Sequence, residues 1–182
     1  MFVIVWQFEV LSNPLTGINQ MNDSNKNHIS RTLLLAPVIF IGHFLEEAPT
    51  FVEWFNAHVT RGITSETFWS VNLSGLVITA IVVGMEWLAR SPFSLSLAIA
   101  WFSFLMLANA LFHIIASFVD GSYVPGLVTA ALFYLPYYFW LVTKIVKSGR
   151  VKVSVLIFAA LLGAMPMVIH GYRILFLGSR LF

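Results

Sequence analysis

The stretch FSLSLAIAWFSFLMLANALFHIIASFV, residues 93–119, decides the fold class of this chain. It contains no Asp, Glu, Lys or Arg, and it is longer than the roughly 20 apolar residues with which an α-helix crosses a bilayer. Over the whole chain, 59% of the residues are hydrophobic and 10% are charged, whereas a soluble domain carries about 25% charged residues. We therefore predict an integral membrane protein.

Four further segments have the length and the apolar character of a spanning helix. They lie at residues 31–48, 66–89, 125–146 and 151–177. Their continuous apolar runs differ from the alternating pattern of a transmembrane β-barrel. A shorter amphipathic stretch, FVEWFNAHV at 51–59, is typical of a helix at the membrane interface. The sequence thus predicts an all-α, polytopic membrane helix bundle with about five transmembrane helices, in a single domain of residues 31–182.

The N-terminal segment does not fit this pattern. Residues 1–11, MFVIVWQFEVL, are too few to span a bilayer and lack the basic start of a signal peptide. A polar stretch separates them from the first spanning segment. We predict that residues 1–30 are peripheral and that Met21 is an alternative translation start.

The distribution of Lys and Arg predicts the orientation, because cytoplasmic flanks carry the excess of positive charge. The order of the helices puts seven of these residues on the side of the N-terminus, namely Lys26, Arg31, Arg90, Lys144, Lys147, Arg150 and Lys152. It puts three on the other side, namely Arg61, Arg173 and Arg180. We expect the N-terminus in the cytoplasm and the C-terminus outside.

Charge and cysteine content narrow the possible functions. The net charge of +2 is too small for a nucleic-acid-binding surface, so membrane lipids are the expected partners. The chain has no cysteine, which excludes disulfides, thiolate metal sites and cysteine nucleophiles. Any metal must therefore be bound by His, carboxylate, amide or water.

Three histidines and two adjacent glutamates lie inside the apolar segments: His43, Glu46, Glu47, His113 and His170. A charge at membrane depth costs about 2.5–3.5 kcal/mol, so such residues are seldom there without a function. With a rise of about 1.5 Å per residue, the predicted topology places all five in the outer half of the bilayer. We expect them to converge in one polar pocket.

The first three form H-x-x-E-E on one helix, and offsets of three and four residues bring side chains to one face. His43, Glu46 and Glu47 are thereby arranged to bind one cation, as in bundles that use Glu-x-x-His pairs. The alternative interpretation is a buried hydrogen-bonded ion pair. Asn109 and His113, four residues apart, could likewise form an ordinary contact between helices, or orient a substrate.

These residues resemble the HxxEE-motif family, a group of small bacterial membrane proteins of uncharacterised function. The resemblance rests on His43, Glu46 and Glu47, on the later Asn109-x-x-x-His113, and on Tyr123-x-Pro125-Gly126, in that order. Without it, the last motif would be interpreted as an ordinary turn with an interfacial tyrosine. The resemblance implies the inner, cytoplasmic membrane of a bacterial cell, and it implies no reaction.

The composition of the site favours an intramembrane metal-dependent enzyme. We expect one divalent metal, with zinc first and iron or manganese as alternatives. The predicted ligands are His43, His113, His170 and Glu46, and Glu47 is the second carboxylate of the metal set. Glu47 would be the general base toward a water molecule. The helix offsets leave open whether Glu46 and Glu47 exchange these roles.

Asn109 or Tyr123 would stabilise an oxyanion. A site in the outer half of the bilayer is typical of a lipid-like or amphiphilic substrate, and hydrolysis is the predicted reaction. The main alternative is a proton- or ion-coupled small-molecule transporter, because membrane Glu and His also form ion sites and proton relays. A third possibility is a polar cluster that only fixes helix packing.

Overall fold

The computed structural model describes residues 28–58 and 62–177, and within these ranges it is helical, with no strand. Five helices are long enough and apolar enough to cross a membrane. They are α1 (His28–Glu47), α3 (Ser65–Ala89), α4 (Pro92–Asp120), α5 (Leu127–Ser148) and α6 (Val153–Phe176); the short α2 (Phe51–His58) follows α1. The predicted all-α membrane bundle is confirmed. The predictions for residues 1–27, including Met21, lie outside the described residues.

Much of the helix surface is apolar and faces outward, as expected for a bundle surrounded by lipid. On α6, Phe158 and Leu161 are 67% and 66% exposed, and on α3 the exposed residues include Val71 and Val77. α4 has the largest buried share of the spanning helices. It is therefore the central helix, against which the others pack.

α4 and α6 approach so closely that only glycine fits at one point. A Cβ added to Gly163 would lie 1.9 Å from the backbone oxygen of Ala100. The start of α4 is also well defined, because Ser91 and Ser94 form a reciprocal capping box and Pro92 occupies the first turn. These features fix the position of α4 along the bundle axis.

Two spanning helices contain π-helical turns, at Ser103–Ala108 in α4 and at Ala130–Tyr134 in α5. In α5 the N–H of Leu135 donates to the carbonyl of Ala130, five residues earlier. Pro136 follows and has no N–H to donate, and membrane helices accommodate proline by such local adjustments. π-turns are frequent at functional sites, and these two flank the same region of the bundle interior.

At the other end of the bundle, a buried ion pair connects three elements. The i, i+4 spacing of Glu86 and Arg90 predicts an ion pair within α3, but Glu86 instead contacts Arg150, at 2.7 Å. Its second oxygen accepts a hydrogen bond from Ser94, at 2.6 Å. Arg90 donates to the carbonyl of Trp87. The pair thus joins α3, α4 and the connection between α5 and α6.

The short helix α2 is fixed to the end of α4 by His58. One ring nitrogen of His58 bonds the carbonyl of Trp54 at 2.7 Å, and the other lies 2.8 Å from the carboxylate of Asp120. Both partners are acceptors, so both ring nitrogens must carry hydrogen and the imidazole is a cation. The bond to Trp54 and the contact with Asp120 raise the pKa of His58 above its usual value.

Candidate metal centre

Three ionisable side chains from two helices meet in the bundle interior. His43 and Glu47 lie one turn apart at the end of α1, and His113 lies on α4 after its π-turn. All three are buried, with exposed fractions of 0%, 6% and 1%. Each can offer one ligand atom such that these atoms lie within 4.8 Å of one another. We call His43, Glu47 and His113 the His–Glu–His cluster.

The distances within this cluster are compatible with ligands of one metal ion. Glu47 Oε1 is 3.5 Å from His43 Nε2 and 3.2 Å from His113 Nε2. Ligands bound to zinc at about 2.0–2.2 Å in a tetrahedron are about 3.3–3.6 Å apart. The contact to His43 is long for a hydrogen bond. Both ring nitrogens of His113 are buried, and neither makes a hydrogen bond with the residues that the structure describes.

The hydrogen bonds around His43 set its tautomer. Its Nδ1 is 2.8 Å from the hydroxyl of Thr129, and that hydroxyl donates its own hydrogen to the carbonyl of Gly126 at 3.3 Å. Nε2 faces Glu47, and the amide nitrogen of Asn109, which can only donate, lies 3.0 Å from it. We therefore assign the lone pair to Nε2 and the hydrogen to Nδ1, which donates to Thr129. In a metal-ligating histidine, the ring nitrogen that does not bind the metal usually donates its hydrogen to a neighbouring acceptor, as Nδ1 does here.

Glu46 has a different role from its neighbour Glu47. Its carboxylate accepts hydrogen bonds from the N–H groups of Val128 and Thr129, at 3.0 and 2.7 Å, and from the hydroxyl of Tyr123, at 2.6 Å. Glu46 thereby satisfies free N–H groups at the start of α5, where a negative charge is also stabilised by the helix dipole. Partial burial, together with the bond to Glu46, raises the pKa of Tyr123 to about 12.

The turn between α4 and α5 brings glycine backbone directly onto the cluster. Gly126 has φ +93°, and a Cβ there would lie 2.7 Å from Cε1 of His113, 2.9 Å from Cε1 of His43 and 3.0 Å from Cγ of Glu47. Pro125 before it is buried. The Tyr-x-Pro-Gly motif therefore has a physical explanation, since Tyr123 binds Glu46 and Gly126 covers the His–Glu–His cluster.

Two residues at the site escaped the sequence analysis. Thr129 holds the tautomer of His43, and Tyr134 packs its ring on His43 with centroids 4.2 Å apart. The hydroxyl of Tyr134 is buried and makes no hydrogen bond with the described part of the chain. Placing a threonine or a tyrosine in an apolar segment costs little free energy, so nothing in the composition marked these two as site residues. Their nearness to a π-turn is visible only in three dimensions.

The structure separates the predicted site residues into groups. It brings together His43, Glu47, His113 and Asn109, while Glu46 and Tyr123 form the adjoining pair at the start of α5. His170 is half-buried on the last turns of α6. Its nitrogens are not among the ligand atoms of the His–Glu–His cluster. Its role as a ligand, like that of Glu46, stays a prediction.

The fold and the site define a multi-pass membrane protein with a buried His–Glu–His cluster between the ends of two spanning helices. More particularly, the chain belongs to the family of proteins of unknown function with an HXXEE motif, which matches residues 34–141. That range includes the cluster, Asn109 and the Tyr-x-Pro-Gly turn. No curated protein and no solved structure was found to be similar to this chain.

Proposed function

We propose that this protein is an intramembrane metal-dependent enzyme, and that it hydrolyses a lipid-like substrate in the outer half of the bilayer. The observation that carries this proposal is the convergence of His43, Glu47 and His113, with ligand atoms within 4.8 Å of one another. The alternative of a purely structural cluster leaves Nδ1 of His113 buried without a hydrogen bond to the described residues, while Nε2 lies 3.2 Å from Glu47, and a buried polar group without a partner costs about 1–3 kcal/mol.

The donor set is two imidazoles and one carboxylate. This is the ligand set of several catalytic zinc sites, in which the fourth position is open to water or substrate. The same set binds iron(II) in oxygenases, so zinc is the first expectation, and iron or manganese is the alternative. A bound divalent metal would polarise a carbonyl and lower the pKa of a bound water molecule.

The surrounding residues then have distinct roles. Oε1 of Glu47 faces both imidazoles, which leaves Oε2 to accept a proton from water. Asn109 lies beside His43 Nε2, where its amide can donate to an oxyanion after a small rotation. Glu46, which is engaged at the start of α5, positions α1 against α5. Tyr123 supports Glu46 from the turn.

A substrate class follows from the surroundings of the site. The cluster lies in a bundle whose outer surface is apolar, so a substrate with a hydrocarbon part can reach it from the bilayer. The excess of Lys and Arg on the N-terminal side supports an N-terminus inside and a C-terminus outside, and the membrane that we propose is the inner membrane of a bacterial cell. Because the chain has no cysteine, single cysteines such as Ser122→Cys test this orientation with impermeant thiol reagents.

Metal analysis of detergent-purified protein tests the proposal. We expect about one equivalent of a divalent metal per chain in the wild type. Glu47→Gln should lose it, because even a residue that only supports a ligand contributes 10–100-fold to affinity. The matched control is Glu46→Gln, at the neighbouring position. It should keep the metal, although its folded state should be less stable by about 1–3 kcal/mol.

The reaction is tested separately with phospholipid and simple ester substrates. Metal-loaded wild type should release the acyl product, whereas chelated wild type and Glu47→Gln should release none. If wild-type protein contains no metal and gains no thermal stability from added zinc, iron or manganese, the enzyme proposal fails. In that case a proton-coupled carrier, which has no need of a stoichiometric metal, becomes the better explanation of the cluster.

A further inference from the structure

A cavity of about 500 Å³, widely open to the surface, lies beside the site at the C-terminal end of α4, and Phe118 on its wall is 83% exposed. It is lined by Ile114, Ser117, Phe118, Gly121, Ser122, Tyr123 and Leu127. Its volume lies within the roughly 300–1,000 Å³ of small-molecule sites. Nothing in the His–Glu–His cluster accounts for it, because none of the three cluster residues is part of its wall.

The wall of the cavity combines one face of α4 with the following turn. The part of the wall that α4 contributes has the spacing that brings residues to one helix face, at positions 114, 117, 118 and 121. His113 precedes Ile114, so the cluster lies about a quarter of a turn around the same helix. Across the cavity stand Tyr123 and Leu127, and Leu127 begins the helix whose first N–H groups bind Glu46.

The chemistry of the wall indicates an apolar ligand. Three hydroxyl groups border the cavity, and each already donates a hydrogen bond within the protein. Ser117 donates to the carbonyl of Ser122, Ser122 to Asp120, and Tyr123 to Glu46. The wall therefore offers aliphatic and aromatic surface from Ile114, Phe118 and Leu127 and no free hydroxyl donor. No ionised side chain is part of the wall.

The position of Tyr123 connects this cavity with the site. Its ring lines the cavity, while its hydroxyl bonds Glu46, the residue next to Glu47 of the cluster. We propose that the cavity binds the hydrocarbon chain of an amphiphilic substrate, and that Tyr123 marks the border between the chain and the polar head that reacts at the cluster. The identity of the polar head of the substrate rests on the proposed function. The binding of the hydrocarbon chain is inferred from the cavity alone.

Photolabelling with a diazirine-bearing palmitate tests it on detergent-purified, full-length protein. Mass spectrometry should find the label concentrated in residues 114–127, and excess unlabelled palmitate should abolish it in a saturable manner. Leu127→Trp, which fills the cavity, should lower this labelling by about tenfold. Val77→Trp on the exposed face of α3 is the matched control and should leave it unchanged. If Leu127→Trp unfolds below the assay temperature, Ile114→Trp is used in its place.

The outcomes separate this inference from the proposed function. Chelated protein should label as the metal-loaded protein does, because the chain site needs no metal. Saturable labelling at residues 114–127 in a wild-type protein that binds no zinc, iron or manganese supports the chain site and refutes the enzyme. Labelling spread evenly over the exposed faces of α3 and α6, without saturation, overturns the chain site. So does equal labelling of residues 114–127 in Leu127→Trp and Val77→Trp.

Discussion

The backbone of Gly126 lies against the imidazole of His113, so closely that a Cβ at Gly126 would be 2.7 Å from Cε1 of the ring. A turn between two spanning helices thus forms one wall of the His–Glu–His cluster, whose side chains come from elsewhere in the chain. Because the side chain of His113 is packed in the interior, it cannot withdraw without disturbing His43 and Glu47 beside it.

Gly126→Ala should therefore lower metal affinity by at least about tenfold, since it displaces His113 and His43 together. Gly121 provides the matched control. It also has positive φ, at +66°, but no atom of the described residues lies within 4 Å of its added Cβ. Both substitutions should cost about 1–2 kcal/mol of stability for the left-handed backbone, and only Gly126→Ala should release metal. Metal content and thermal unfolding of the two variants measure the difference, and equal metal content would contradict it.

Thr129→Val should weaken metal binding by about 10–100-fold without removing a ligand. The substitution keeps the shape of Thr129 but removes the oxygen that accepts from His43 Nδ1, so the imidazole is free to change its tautomer. Thr143, on the same helix, is exposed, and its hydroxyl donates to the carbonyl of Phe139. Thr143→Val should keep wild-type affinity. Titration of chelated protein with zinc tests both, and an unchanged affinity in Thr129→Val would show that the tautomer is set in another way.

The contact between His58 and Asp120 should make stability depend on pH. The folded state raises the pKa of His58, so its stabilising contribution is complete below the unfolded pKa of about 6.5 and is lost as the pH rises through the folded value. The melting temperature of wild type minus that of His58→Gln should therefore be largest in mild acid and decline toward alkaline pH. Asp120→Asn should reduce the same trend without abolishing it, because the bond to the carbonyl of Trp54 also raises the pKa of His58. A difference that is constant with pH would refute the cationic assignment.

Arg150→Met should be strongly destabilising, by about 3–5 kcal/mol, because it leaves the buried carboxylate of Glu86 without its counter-charge. Arg90→Met is the comparison, since Arg90 is near in sequence to Glu86 but does not pair with it, and its loss should cost no more than about 0.5 kcal/mol. Thermal unfolding in detergent ranks the two variants. The double variant Glu86→Gln with Arg150→Met should recover part of the loss, and further destabilisation would contradict the pairing.

Much of the fold could be predicted from the sequence, because a bilayer imposes a minimum length of apolar helix that can be read directly. The five helices lie within a few residues of the predicted spans. The meeting of His43 and His113 could also be anticipated, because a shared depth restricts where costly side chains can go. Helix length and depth in the membrane both follow from position along the sequence, so they could be predicted without knowing how the helices pack.

The rotation of each helix was not accessible in this way. Glu46 and Glu47 lie at the same depth and differ by about 100° around α1, so only the packing of α1 shows that Glu47 meets His113 while Glu46 meets α5. The π-turn at Ser103–Ala108 alters the face on which His113 lies. His170 shares the predicted depth, yet depth alone says nothing about which way it faces on α6.

The close approach at Gly163 also determines which parts of the molecule can move. With no space between the backbones of α6 and α4 at Ala100, sliding or tilting of α4 would meet immediate steric resistance. The central helix α4 is therefore the fixed element of the bundle, and it keeps His113 in place. Any opening that admits a ligand must therefore come from the elements around α4, such as α2, which is held by the hydrogen bonds of Trp54 and His58 to Asp120 and by the burial of Phe55 in a hydrophobic cluster with Phe112.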